Sequence, residues 1–214
     1  MAIEGRTLGA AAGRFRDHLN TLLHKTITQH PLSMVPYTND KGVPQMQLTF
    51  RDHILPSAAR VHSRLCGDLD LYIGQVCEAR EDAKGRKRLY TASYRYSLSP
   101  AGEPESVFRW DYVRKWPYQV VEEETGQVPP EREKWCRHHL QGTPLINLGD
   151  HQFCLQDVHL PTGYVAIEDV IRFCFTDLGV QPLTDEEEWH DLLNASYAQF
   201  IDDFVVDEPD GEPS

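Results

Sequence analysis

The stretch RLYTASYRYSL at residues 88–98, with the turn SPAGEP at 99–104 and the segment SVFRWDYV at 106–113, decides the fold of this chain. In the first segment Tyr90, Ala92, Tyr94, Tyr96 and Leu98 alternate with Leu89, Thr91, Ser93, Arg95 and Ser97. In the second, Ser106, Phe108, Trp110 and Tyr112 alternate with Val107, Arg109, Asp111 and Val113. A period of two belongs to a β-strand, whose successive side chains point to opposite faces. Pro100, Gly102 and Pro104 provide the turn. The two segments predict an antiparallel hairpin with one buried aromatic face and an opposite face shared by Arg95, Arg109 and Asp111.

On the N-terminal side, Leu69, Leu71, Ile73 and Cys77 fall on one side of a further strand at 69–77, and residues 56–66 read as a short helix. Residues 31–53 hold three prolines and the turn sequence Asn39-Asp40-Lys41-Gly42, which predicts a loop or loose hairpin. Phe15, Leu19, Leu22, Leu23 and Ile27 lie on one face of a helix within 8–30, ended by Pro31. On the C-terminal side, 114–135 reads as an insertion, followed by short strands around 145–148 and 153–160. A helix at 167–178 has Ile167, Val170, Ile171, Cys174 and Leu178 on one stripe. A second helix opens with Thr184 and Glu187 as a capping box and aligns Trp189, Leu192, Leu193, Ser196, Tyr197 and Phe200. The expected fold is α+β, a small antiparallel β-sheet packed against N- and C-terminal helices. Along the chain this divides into a helix-and-loop extension at 1–60, an α+β domain at 61–180, an acidic helix at 181–206 and a disordered tail at 207–214.

Composition narrows the class. With 214 residues and 40% hydrophobic residues the chain can bury a core of its own. No apolar run is long enough to span a bilayer, and residues 1–12 lack the basic start and apolar stretch of a signal peptide, so no membrane association is expected. Five scattered cysteines predict reduced thiols and a cytoplasmic location, with Cys66, Cys77 and Cys174 as small buried hydrophobes. The net charge of −12 is unevenly placed: the residues after Arg172 carry aspartates and glutamates but no lysine or arginine, and the chain before them is balanced. A balanced body can bind an anion locally, and the acidic end can shield such a site or dock on a basic partner.

The familiar nucleotide, dinucleotide, zinc-protease, serine-hydrolase and calcium motifs are absent. What stands out is a basic, imidazole and carboxylate set: Arg95, Arg109, Asp111, Arg137, His138 and His139. Phosphodiester cleavage without a metal needs a base near neutral pKa, an acid for the leaving oxygen and cations for the phosphate, and these residue types supply all three. The same residues also suit the solvated half of an ordinary sheet. A rival reading is zinc, because Cys136, His139, His151 and Cys154 form C-x2-H and H-x2-C pairs eleven residues apart. Nothing else in the sequence asks for a cofactor. The basic run REDAKGRKR at 80–88 before the tyrosine-rich strand suits either an RNA contact or a soluble hairpin tip.

The order of these parts resembles the TumE-type toxins of bacterial toxin–antitoxin modules, over about residues 68–180. The matching motifs are Tyr94-Arg-Tyr96, Phe108-Arg-Trp-Asp111, Arg137-His-His139 and the helix from Ile167. The second histidine of the family's H-x-H segment falls here on Leu140 or Gln141, and a long insertion separates Asp111 from the histidines. The resemblance implies a toxin-like ribonuclease with RNA as substrate and an antitoxin protein as possible partner. His138 or His139 would act as base or acid, Arg95, Arg109 and Arg137 would hold phosphate, and Asp111 would orient an imidazole or an arginine. The alternative is a non-catalytic binding or regulatory protein that uses its acidic C-terminal end on a basic partner. Oligomeric state is not legible in the sequence.

Overall fold

The protein is described here from a computed structural model covering residues 4–5, 7–52, 55–81, 87–113, 138–142, 145–148, 151–154 and 160–204. A short strand β1 (Glu4–Gly5) leads into helix α1 (Leu8–Thr26), which begins where the Thr7 hydroxyl accepts from the Ala10 amide at 3.2 Å. Strands β2 (Leu32–Thr38) and β3 (Pro44–Asp52) form a regular hairpin closed by Asn39, whose side-chain oxygen accepts from the amides of Lys41 and Val43. Next come β4 (Leu55–Pro56), β5 (Ala59–Ser63) and the long pair β6 (Gly67–Glu81) and β7 (Lys87–Pro100), then β8 (Phe108–Val113). The last strands are β9 (His138–Gln141), β10 (Leu145–Leu148), β11 (His151–Cys154) and β12 (Leu160–Pro161). Helices α2 (Ile167–Thr176) and α3 (Glu186–Phe204) follow.

One antiparallel sheet runs in the order β12-β9-β8-β7-β6-β3-β2, with β1, β4 and β5 added to β7, β3 and β6, while β10 and β11 form a separate hairpin. The architecture is therefore α+β, as the alternation predicts. Residues before 60 are integral to it: β3 lies beside β6 within the sheet, and α1 fills the core. Asn20 of α1 grips the start of β2 through both the amide and the carbonyl of Leu32.

The core lies on one face of the sheet. Leu48, Phe50, Leu71, Ile73, Tyr96, Leu98 and Trp110 meet Phe15, Leu19 and Leu23 of α1 and Ile167, Val170, Ile171 and Cys174 of α2. Phe173 of α2 packs edge-on against Phe108 and Trp110, with ring centroids 5.1 and 5.4 Å away. α3 lies outside this layer, burying Trp189, Leu193 and Ser196 against α1 and α2. Beneath this layer Gln75 is paired on both sides: Tyr96 donates to Gln75 Oε1 at 3.1 Å, and Gln75 Nε2 donates to Thr91 Oγ1 at 2.9 Å.

Several local expectations change. Residues 59–63 form a strand rather than part of a helix, because Ala59, Val61 and Ser63 alternate inward against Arg60 and His62, and β6 offers them an edge. The segment 153–160 is not one strand: β11 and β12 belong to different sheets. The helix α3 is capped by Asp185, whose carboxylate accepts from the Glu188 amide, one residue after Thr184. Cys66 is exposed, whereas Cys77 and Cys174 are buried. Tyr90 does not share the face of Tyr94 and Tyr96. Cys77 pairs with Thr91 while Val76 pairs with Ser93, so Ala92 is an extra residue that reverses the alternation. Leu89 and Thr91 take the inward positions instead. No helix among the described residues is long and apolar enough to cross a membrane.

Candidate functional site

The face of the sheet turned away from the helices carries the polar set. Residues paired across antiparallel strands share a face. One row of partners across β3, β6, β7, β8 and β9 therefore reads Thr49, Gly74, Arg95, Asp111, His139. The adjoining row across β6 to β9 reads Tyr72, Ser97, Arg109, Gln141.

Asp111 stands at the centre. Arg95 donates from Nε to Asp111 Oδ1 at 2.7 Å and Arg109 from Nε to Oδ2 at 2.6 Å. His139 Nε2 lies 3.9 Å from Oδ2. Burial is graded: side-chain exposure is 59% for Arg95, 35% for Arg109, 10% for Asp111 and 3% for His139. The carboxylate thus fixes two guanidiniums from below. Because each is held through Nε, the Nη groups remain to bind an anion, and a guanidinium fork matches the paired oxygens of a phosphate. Two cations against one carboxylate leave the cluster net positive.

Arg95, Arg109, Asp111 and His139 are brought together. The paired-histidine arrangement is not, since His138 occupies the position opposite Tyr112, in the alternate register from Asp111. Adjacent strand residues must alternate, so one histidine of the pair stands in the Asp111 row. Arg137 and Cys136 lie outside the described residues, as does the insertion at 114–135. The zinc set is split between sheets: His139 is in the main sheet, and His151 and Cys154 are in the β10–β11 hairpin, opposite Leu148 and Leu145. Among the described residues no three His, Cys, Asp or Glu side chains stand close enough together to hold a metal ion.

Three members of the Arg109 row were not singled out in the sequence. Gln141 and Ser97 flank Arg109 in register and are buried. Tyr72 continues the same row on β6. The signal for Gln141 is its i+2 spacing from His139; Ser97 and Tyr72 have no mark beyond the alternation.

A second polar cluster lies on the helical side. Ser196 of α3 donates to the buried Glu168 carboxylate of α2, and His18 Nε2 of α1 lies 2.9 Å from the same hydroxyl. The carboxylate contacts the hydroxyl and not the imidazole, so this is not the order of a nucleophilic triad. The cluster joins three helices.

No protein-family model matches the chain, and the searches of curated proteins and of solved structures give no match either.

Proposed function

We propose that the protein is a toxin-like ribonuclease of a toxin–antitoxin or defence-related module, cleaving RNA phosphodiester bonds without a metal ion. The observation that carries this reading is the Arg95-Asp111-Arg109 clamp with His139 in the same cross-strand row. Arg95 and Arg109 hold the scissile phosphate and offset the charge that builds on its oxygens. Asp111 fixes both guanidiniums. His139 exchanges the proton, either taking it from the attacking ribose hydroxyl or giving it to the leaving oxygen. The resemblance of Phe108-Arg-Trp-Asp111 and Arg137-His-His139 to the TumE-type toxins supports the same assignment. The grading of exposure sets a requirement: substrate meets Arg95 first and must reach past Asp111 to the buried His139.

Expression in a bacterial host tests it. The full chain is expected to arrest growth, and His139→Ala to abolish the arrest at equal protein level, with His138→Ala retaining it. Undiminished arrest by His139→Ala sinks the assignment.

A further inference from the structure

Tyr72 sits on β6 two residues before Gly74, on the same face as the arginine clamp. A Cβ built on Gly74 would lie 2.9 Å from the Tyr72 hydroxyl oxygen and 3.0 Å from its Cε1. The ring therefore lies down over the glycine, in space that any other residue would fill. Gly74 is the direct partner of Arg95, so the ring leans out of its own row into the row of Arg95 and Asp111. Its own partner is Ser97, a small residue that stands between Tyr72 and Arg109 in the row. A diagonal neighbour of this kind is within reach of an aromatic side chain. The Tyr72 ring is half-buried and takes no hydrogen bond or ring partner among the described residues.

A half-buried aromatic ring laid over Gly74, one strand from Arg95 and two from Arg109 on the same face, has the form of a stacking platform. In single-stranded RNA the backbone and the unstacked base are presented together, so a cation and a ring one strand apart can take one nucleotide between them. We propose that Tyr72 stacks on a nucleobase of the single-stranded RNA whose phosphate Arg95 and Arg109 hold, which makes it a specificity residue for unpaired RNA; this rests on the ribonuclease reading above.

The test uses the full chain and two probes of equal length, a 2′-O-methyl oligoadenylate and its abasic counterpart, with affinity measured against salt. The wild type is expected to prefer the probe that has bases. Tyr72→Phe keeps the preference. Tyr72→Leu, which still covers Gly74 but has no π face, loses it, with binding to the oligoadenylate about tenfold weaker and an unchanged salt slope. Arg95→Gln lowers binding to both probes and reduces the slope by about one. Circular dichroism and thermal melting confirm that each variant is folded. If Tyr72→Leu binds like the wild type while Arg95→Gln weakens both probes, the stacking role falls and the phosphate site stands. If the wild type binds neither probe, both fall.

Discussion

Asp111 is nearly buried, and each of its carboxylate oxygens accepts from a different guanidinium. Asp111→Ala removes both acceptors and leaves two cations side by side. Arg95 is more than half exposed and water screens it, so the cost falls below the 3–5 kcal/mol of breaking a fully buried pair, at about 2 kcal/mol. Urea denaturation at neutral pH measures it, and a loss under about 0.5 kcal/mol would mean that the clamp does not hold the sheet together. Glu168 gives a prediction with a pH sign. Burial raises its carboxyl above the ordinary 4.5, against the lowering effect of the Ser196 hydrogen bond. The folded state therefore favours the protonated acid, and its contribution, present below about pH 4.5, is lost as pH rises through the folded value. Glu168→Gln removes that loss, so the variant should gain on the wild type between pH 4 and pH 7; a relative decline over that range would contradict it. His18, held low by burial, is present in both proteins. Arg95, Arg109 and Asp111 were legible because a period-two pattern fixes their common face. The choice between His138 and His139 was not, since it depends on register with β8, which precedes the 114–135 insertion. The His18-Ser196-Glu168 junction had no local signal at all, its ends being 178 residues apart.

Among the elements, β7 shows where a correct pattern is locally misleading. Its alternation is real above Ala92 and reversed below it, and nothing in Tyr90-Thr91-Ala92-Ser93 marks the bulge; only pairing with β6 reveals it. Deleting Ala92 tests the effect. Without the extra residue Thr91 adjoins Ser93 in regular alternation opposite Cys77 and Val76, so Leu89 and Thr91 keep their inward positions, Tyr90 stays outward and the Gln75-Thr91 hydrogen bond is retained. The variant is expected to stay within about 1 kcal/mol of the wild type, read from the denaturation midpoint. A loss of about 3 kcal/mol or more, as burying Tyr90 in place of Leu89 and breaking the Gln75-Thr91 bond would give, would contradict the reading of Ala92 as the extra residue. Strand β5 was not legible in the sequence for a related reason. Five residues carry too little periodicity to separate strand from helix, and the decision came from the free edge of β6. The hairpin β7–β8 was legible because it brings its own partner and its own turn, in which Gly102 adopts a φ of 82° that other residues avoid.

At the scale of the whole molecule the sheet separates two chemistries. The helices lie on the aromatic face, and α3 exposes Glu186, Glu187, Glu188 and Asp191 on their outer side. The arginine clamp lies on the opposite face. The described part of the acidic end therefore does not shield the site, and this arrangement was hidden in the sequence, where charge is ordered along the chain and not by face. A negative helical side and a positive cluster on the sheet would orient an approaching polyanion toward Arg95. The most direct test is cleavage by the purified full chain of a single-stranded RNA in the presence of EDTA. Wild-type protein and His138→Ala should cleave it, with His139→Ala slower by about a hundredfold or more; intact RNA in the wild-type reaction, or cleavage by His139→Ala at the wild-type rate, would contradict a catalytic role for this face.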